Sequence, residues 1–79
     1  MRSQAHNLVK KYGWFPIQTS PNEFYSLLLK KRRLKVYPSG SGYPVVAASF
    51  YRGREMKRVT GMKELKSLLE ELKVLEALS

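Results

Sequence analysis

Apolar positions recur along this chain with two periods, and each period predicts a different element. Ala5, Leu8, Val9 and Tyr12 fall at i, i+3, i+4 and i+7, one face of an amphipathic helix over 3–12. Lys10 and Lys11 close that segment, where cations favour the helix dipole, and Gly13 is placed as a C-terminal cap. Trp14 and Phe15 follow at once and are expected to fold back onto the core. Next, Ser20-Pro21-Asn22-Glu23 has the form of a capping box with proline at the first helical position. With Phe24, Leu27 and Leu28 at helical spacing, this predicts a second helix over 21–32. The competing reading is a strand that pairs with 34–38 across a turn at Lys31-Arg32.

After that the period falls to two. Leu34 and Val36 alternate with Lys35 and Tyr37 in a short strand. Pro38-Ser39-Gly40-Ser41-Gly42 is a flexible turn. The run from Tyr43 to Tyr51, with Val45, Val46, Phe50 and Tyr51, is rich in side chains that suit a pleated surface. A tight turn at Arg52-Gly53 or Gly53-Arg54 returns the chain along Glu55 to Val59. Thr60 is then the expected N-cap of a last helix over 61–78, whose Leu65, Leu68, Leu69, Leu72 and Leu75 form one apolar stripe. The predicted class is α+β, in the order α-α-β-β-β-α, with a three-stranded antiparallel sheet packed on helices.

Length and composition narrow what such a domain can do. The 79 residues make a single domain, 1–79, whose thin core leaves little room for an enclosed pocket. The chain has no cysteine and no aspartate, its six acids are all glutamates, and His6 is the only histidine. That inventory supplies no nucleophile–base pair and no metal-ligand spacing. We therefore expect no catalytic residue, no metal and no cofactor, and read His6 as a surface residue of the first helix. No apolar run approaches a membrane span, and Met1 to Lys11 lacks the apolar stretch of a signal peptide. An intracellular protein is expected, cytoplasmic or nucleoid-associated, or nuclear in a eukaryote.

Charge changes the picture most. The formal net charge is +9, and it is unevenly spread. Residues 1–60 carry twelve Lys/Arg against two Glu, and residues 61–79 carry three Lys against four Glu. Such density costs stability by self-repulsion, and a polyanionic partner is the commonest reason to carry it. Two clusters concentrate it. Lys30-Lys31-Arg32-Arg33 with Lys35 offers five cations in six residues; a helix terminus needs only one or two for its dipole. Arg52, Arg54, Lys57 and Arg58 surround the second hairpin.

Strand alternation adds a face. With Val46, Ala48 and Phe50 pointing to the core, Tyr51 points outward together with Ala47 and Ser49. Tyr37, Lys35 and Tyr51 then share a solvent face with some of the arginines. Small residues let a sheet approach a ligand, and tyrosines among cations can stack on bases. The alternative is that the tyrosines cover core edges. A second geometry pairs helices 3–12 and 21–32 as a helix-turn-helix with the hairpin as a wing.

Residues 34–78, three strands and then a helix, resemble in element order the arm-type domain of phage integrases, which implies a three-stranded sheet presented to DNA. The stretch from Leu8 to Trp14 looks like the first helix of HicA-type mRNA interferase toxins. That family needs a catalytic histidine after its first strand, where this chain has Thr19-Ser20-Pro21, so toxin chemistry is not expected. The expected function is non-enzymatic DNA binding by a small regulator or accessory factor. Duplex DNA is the favoured partner; the alternatives are RNA binding or inhibition of an acidic protein partner. The leucine stripe allows a weak homodimer through the last helix, seamed at Val74 and Leu78.

Overall fold

The computed structural model describes residues 4–26, 29, 32–38 and 45–78. In chain order the elements are α1 (Gln4–Lys11), β1 (Phe15–Ile17), β2 (Ser20–Tyr25), β3 (Arg32–Tyr37), β4 (Ala47–Arg52), β5 (Glu55–Thr60) and α2 (Met62–Ala77). The strands form one antiparallel meander in the order β1-β2-β3-β4-β5. The α+β class is as expected, but the described residues form a sheet of five strands instead of three and two of the three expected helices. The glycine-rich turn and the opening residues of the 43–51 strand lie outside the described residues.

The correction falls on residues 15–25. The helix expected over 21–32 does not form in its described first half: Ser20–Tyr25 is a strand, and so is Phe15–Ile17, for which the sequence predicts no element. The reason is non-local. A capping box would turn the Glu23 carboxylate back toward Ser20, yet Glu23 sits opposite Lys35 of β3, and Phe24 opposite Leu34. Strand geometry sends Phe24 alone into the core, at 1% exposure, and turns Glu23 and Tyr25 the other way. Pro21 and Asn22 have no partner in either register, lying where the β1–β2 pairing shifts between Ser20 and Phe24, so the missing proline N–H interrupts no ladder bond there. Without a second helix over 21–32, the helix-turn-helix geometry is also excluded.

α1 ends as the sequence predicts. Gly13 adopts φ 92°, Gly13 N donates to Lys10 O, and Trp14 N donates to Val9 O. These two bonds make a Schellman cap, and its hydrophobic partner is Trp14, buried edge-on against Phe50 at 6.4 Å between ring centroids. The N-terminus of α2 differs from expectation by one residue. Thr60 closes β5, Gly61 is the N-cap at φ 86°, and Glu64 accepts bonds from Thr60 N and Thr60 Oγ1. Glu64 thus serves the residue before the cap, while Gly61 N donates to Val46 O.

Both helices lie on one face of the sheet. The core joins Ala5 and Val9 of α1, Trp14, and Leu65, Leu68, Leu69 and Leu72 of α2 to Phe24, Leu34, Val36, Ala48 and Phe50. The leucine stripe is thus spent inside the domain, while Val74 and Leu78 remain exposed. His6, expected at the surface, is half-buried: its Nε2 donates to Val36 O at 3.0 Å and its ring meets Phe24 edge-on. Val36 is one residue past the end of the β2–β3 ladder, so His6 serves a carbonyl that the ladder leaves open. At the other end of β2, Ser26 Oγ donates to Glu76 on α2 and accepts from Leu29 N, tying the strand's exit to the end of the helix. Among the described residues no helix is long and apolar enough to cross a membrane.

Candidate nucleic-acid interface

With the helices on one side, alternation assigns every strand residue to a covered or an open face. The registers fix three rows on the open face. One row crosses all five strands: Phe15, Tyr25, Arg33, Tyr51 and Met56. The second runs Glu23, Lys35, Ser49 and Arg58, and the third Tyr37, Ala47 and Thr60. Phe15, Tyr25 and Met56 are 43%, 39% and 55% exposed, unusual for side chains of their size in a sheet. Ala47 and Ser49 are buried low between their longer neighbours, so the middle of the face is a shallow floor.

The side chains on this face are organised among themselves. Phe15 and Tyr25 pack with ring centroids 5.7 Å apart at a 31° tilt, a small aromatic shelf at the β1–β2 edge. Lys35 Nζ lies 5.3 Å from the centroid of the Tyr51 ring, a cation–π contact. Glu23 Oε1 is 3.6 Å from Lys35 Nζ, and Glu23 Oε2 is 3.8 Å from Arg33 Nη1. Glu23, Arg33, Lys35, Tyr51 and Gly53 together line a shallow hollow of ≈ 390 Å³.

The expected site residues therefore divide. Arg33, Lys35, Tyr37, Tyr51 and Arg58 meet on the open face, as the alternation argument required. Arg54 lies in the two-residue turn beside Gly53, whose φ is 60°. Arg32 and Arg52 are paired across β3–β4 but belong to the covered face, at the end of the sheet. Lys57 also faces the helix side and makes a 2.9 Å ion pair with Glu71 of α2, so this cation is already partnered. Lys30 and Lys31 lie outside the described residues.

Tyr25 and Glu23 are members of the face that sequence reasoning missed; their signal was the alternation in 20–25, which the helical reading of that segment concealed. Phe15, expected to fold onto the core with Trp14, stands on the open face because β1 pairs it with Tyr25. Compared with protein-family models, curated proteins and solved structures, the chain matches none. The functional reading accordingly rests on the chemistry of the face.

Proposed function

We propose that the protein binds single-stranded nucleic acid on the open face of its sheet, without chemistry on the bound strand. The observation that carries this reading is the row Phe15–Tyr25–Arg33–Tyr51–Met56. It sets aromatic and apolar surfaces on either side of a guanidinium, across strands spaced about 4.8 Å apart, so the row spans roughly 19 Å. Bases offer π-faces to such a surface, and their phosphates need cations alongside; Arg33, Lys35 and Arg58 supply them. Uncovered aromatic side chains favour a single strand over a duplex, whose bases are stacked inside and present only groove edges.

The decisive experiment is a salt-titrated competition between single-stranded DNA, single-stranded RNA and duplex DNA, with Arg33→Ala and Tyr51→Ala alongside wild type. Expected is tighter binding of the single strands, steep weakening with salt, and loss in both variants. Affinity that is flat with salt, or unaffected by either substitution, would overturn the reading. A duplex reading has one feature in its favour, the Arg52 and Arg54 pair flanking the β4–β5 turn. It requires duplex DNA to win the competition and Arg52→Ala/Arg54→Ala to abolish that advantage.

A further inference from the structure

The open face carries a single acid, Glu23, and it sits among the cations. The other five glutamates lie elsewhere: Glu55 on the covered-face alternation of β5, and Glu64, Glu70, Glu71 and Glu76 on α2. For a surface that only attracts phosphates, a central carboxylate is a liability, because it repels the ligand and cancels part of the charge of Arg33 and Lys35. The geometry also leaves this carboxylate chemically available. Its two contacts, at 3.6 and 3.8 Å, are longer than hydrogen bonds, so the flanking cations orient it without consuming its acceptor positions. It borders the ≈ 390 Å³ hollow whose other walls are Arg33, Lys35, Tyr51 and Gly53, a space that admits one planar base.

Resting on the reading of the face as a single-strand site, we infer that Glu23 makes it selective for guanine. A carboxylate only accepts hydrogen bonds, and it does so through two oxygens side by side. Guanine alone presents two adjacent donors on its Watson–Crick edge, N1–H and the N2 amino group. Adenine and cytosine set a ring-nitrogen acceptor beside their amino donor, and uracil and thymine flank their single N–H with two carbonyls. Each of these puts a lone pair against the carboxylate, at a cost for a partly desolvated anion. The Watson–Crick edge is free only in an unpaired strand, which makes guanine readout and single-strand binding one arrangement. Arg33 and Lys35 then have two tasks: they orient Glu23, and they meet the phosphates on either side of the base.

The test uses short uridine or thymidine oligonucleotides, RNA and DNA, carrying one central guanine, adenine, cytosine or hypoxanthine, bound to wild-type protein and to Glu23→Gln and Glu23→Ala. A bidentate base contact corresponds to roughly 5- to 150-fold discrimination. The guanine oligonucleotide should therefore bind at least about fivefold tighter than the adenine or cytosine ones. Hypoxanthine, which lacks the N2 amino group, should forfeit most of the gain. Glu23→Gln replaces one acceptor by a donor, and an amide can pair with the Watson–Crick edge of any base, so the preference for guanine should largely disappear. Glu23→Ala should bind all bases alike, and the adenine and cytosine oligonucleotides more tightly than wild type does, since a negative charge has left the face. Circular dichroism of each variant establishes that the fold is kept. Equal wild-type affinity for the four bases would sink the guanine inference while leaving the single-strand reading intact. A guanine preference that persists in both variants would remove Glu23 from it. Failure to bind any oligonucleotide overturns the reading of the face itself.

Discussion

Arg32 and Arg52 stand directly opposite each other on β3 and β4, on the same side of the sheet. Like charges in facing positions destabilise an antiparallel pair. Glu55 is the residue across from Arg52 on β5, yet among the described residues it forms no ion pair with it. No ion pair with Glu55 therefore offsets the repulsion between the two arginines. Arg52→Gln is expected to stabilise the fold by about 0.2–1 kcal/mol. In a thermal melt that is a rise of a few degrees for a domain of this size. A lowered melting temperature would show that the arginine stem packs more than its charge repels.

The aromatic row predicts a cost in stacking. Tyr51→Ala and Tyr25→Ala should each lose about 1–3 kcal/mol of single-strand affinity, measured by fluorescence anisotropy. Tyr51→Phe should keep most of it, because the ring face is what a base contacts. If the phenylalanine variant is as weak as the alanine one, a hydrogen bond from the hydroxyl, and not the ring, is the operative contact.

The division of cations between the faces predicts different salt slopes. Arg33→Ala and Arg58→Ala should each reduce the slope of log K against log salt by about 0.7 for a single strand. Lys57→Ala should leave it almost unchanged, since Lys57 is engaged by Glu71 on the helix side. Equal effects from all three would mean that the protein attracts nucleic acid by net charge and has no defined face.

Backbone demands are concentrated at the ends of the helices. Gly13 has φ 92°, and a Cβ added there would meet no atom within 4 Å. The cost of Gly13→Ala is therefore backbone strain alone, about 1–2 kcal/mol. Leu69→Ala, by contrast, empties a fully buried position between α2 and the sheet and should cost about 2–5 kcal/mol. In a domain this small the second substitution should leave a substantial unfolded population by chemical denaturation, and the first should not.

Tyr12 supplies a pH dependence. Partial burial, with the Glu70 carboxylate beside it accepting the phenolic hydrogen bond at 3.3 Å, raises its pKa above the usual 10.0. Folding therefore favours the neutral phenol. The stability this contributes is fully present below pH 10 and is lost as pH rises through the higher folded-state value. Wild type minus Tyr12→Phe, compared by denaturation between pH 8 and pH 12, should show that loss. A difference that stays constant across the range would mean that Glu70 does not act on the phenol.

Where contacts are local, the sequence determined the outcome. Ala5, Val9 and Gly13 set α1 and its cap, since i to i+4 packing and a left-handed glycine need only neighbouring residues. The leucines of α2 are sufficient in the same way, and so is Gly53 in the β4–β5 turn. The alternation of 46–51 likewise places Tyr51 on the face away from the core. The tertiary structure alone decided 15–25. Ser20-Pro21-Asn22-Glu23 satisfies a helix start and a strand equally well by local rules. The choice fell to strand because Phe24 buries against Leu34, and because Glu23 and Tyr25 find Lys35 and Phe15 across the ladders. That non-local choice made the sheet five strands wide, exposed the aromatic shelf, and set one carboxylate among the cations, because strand register, unlike helical periodicity, is settled by partners far away in the chain.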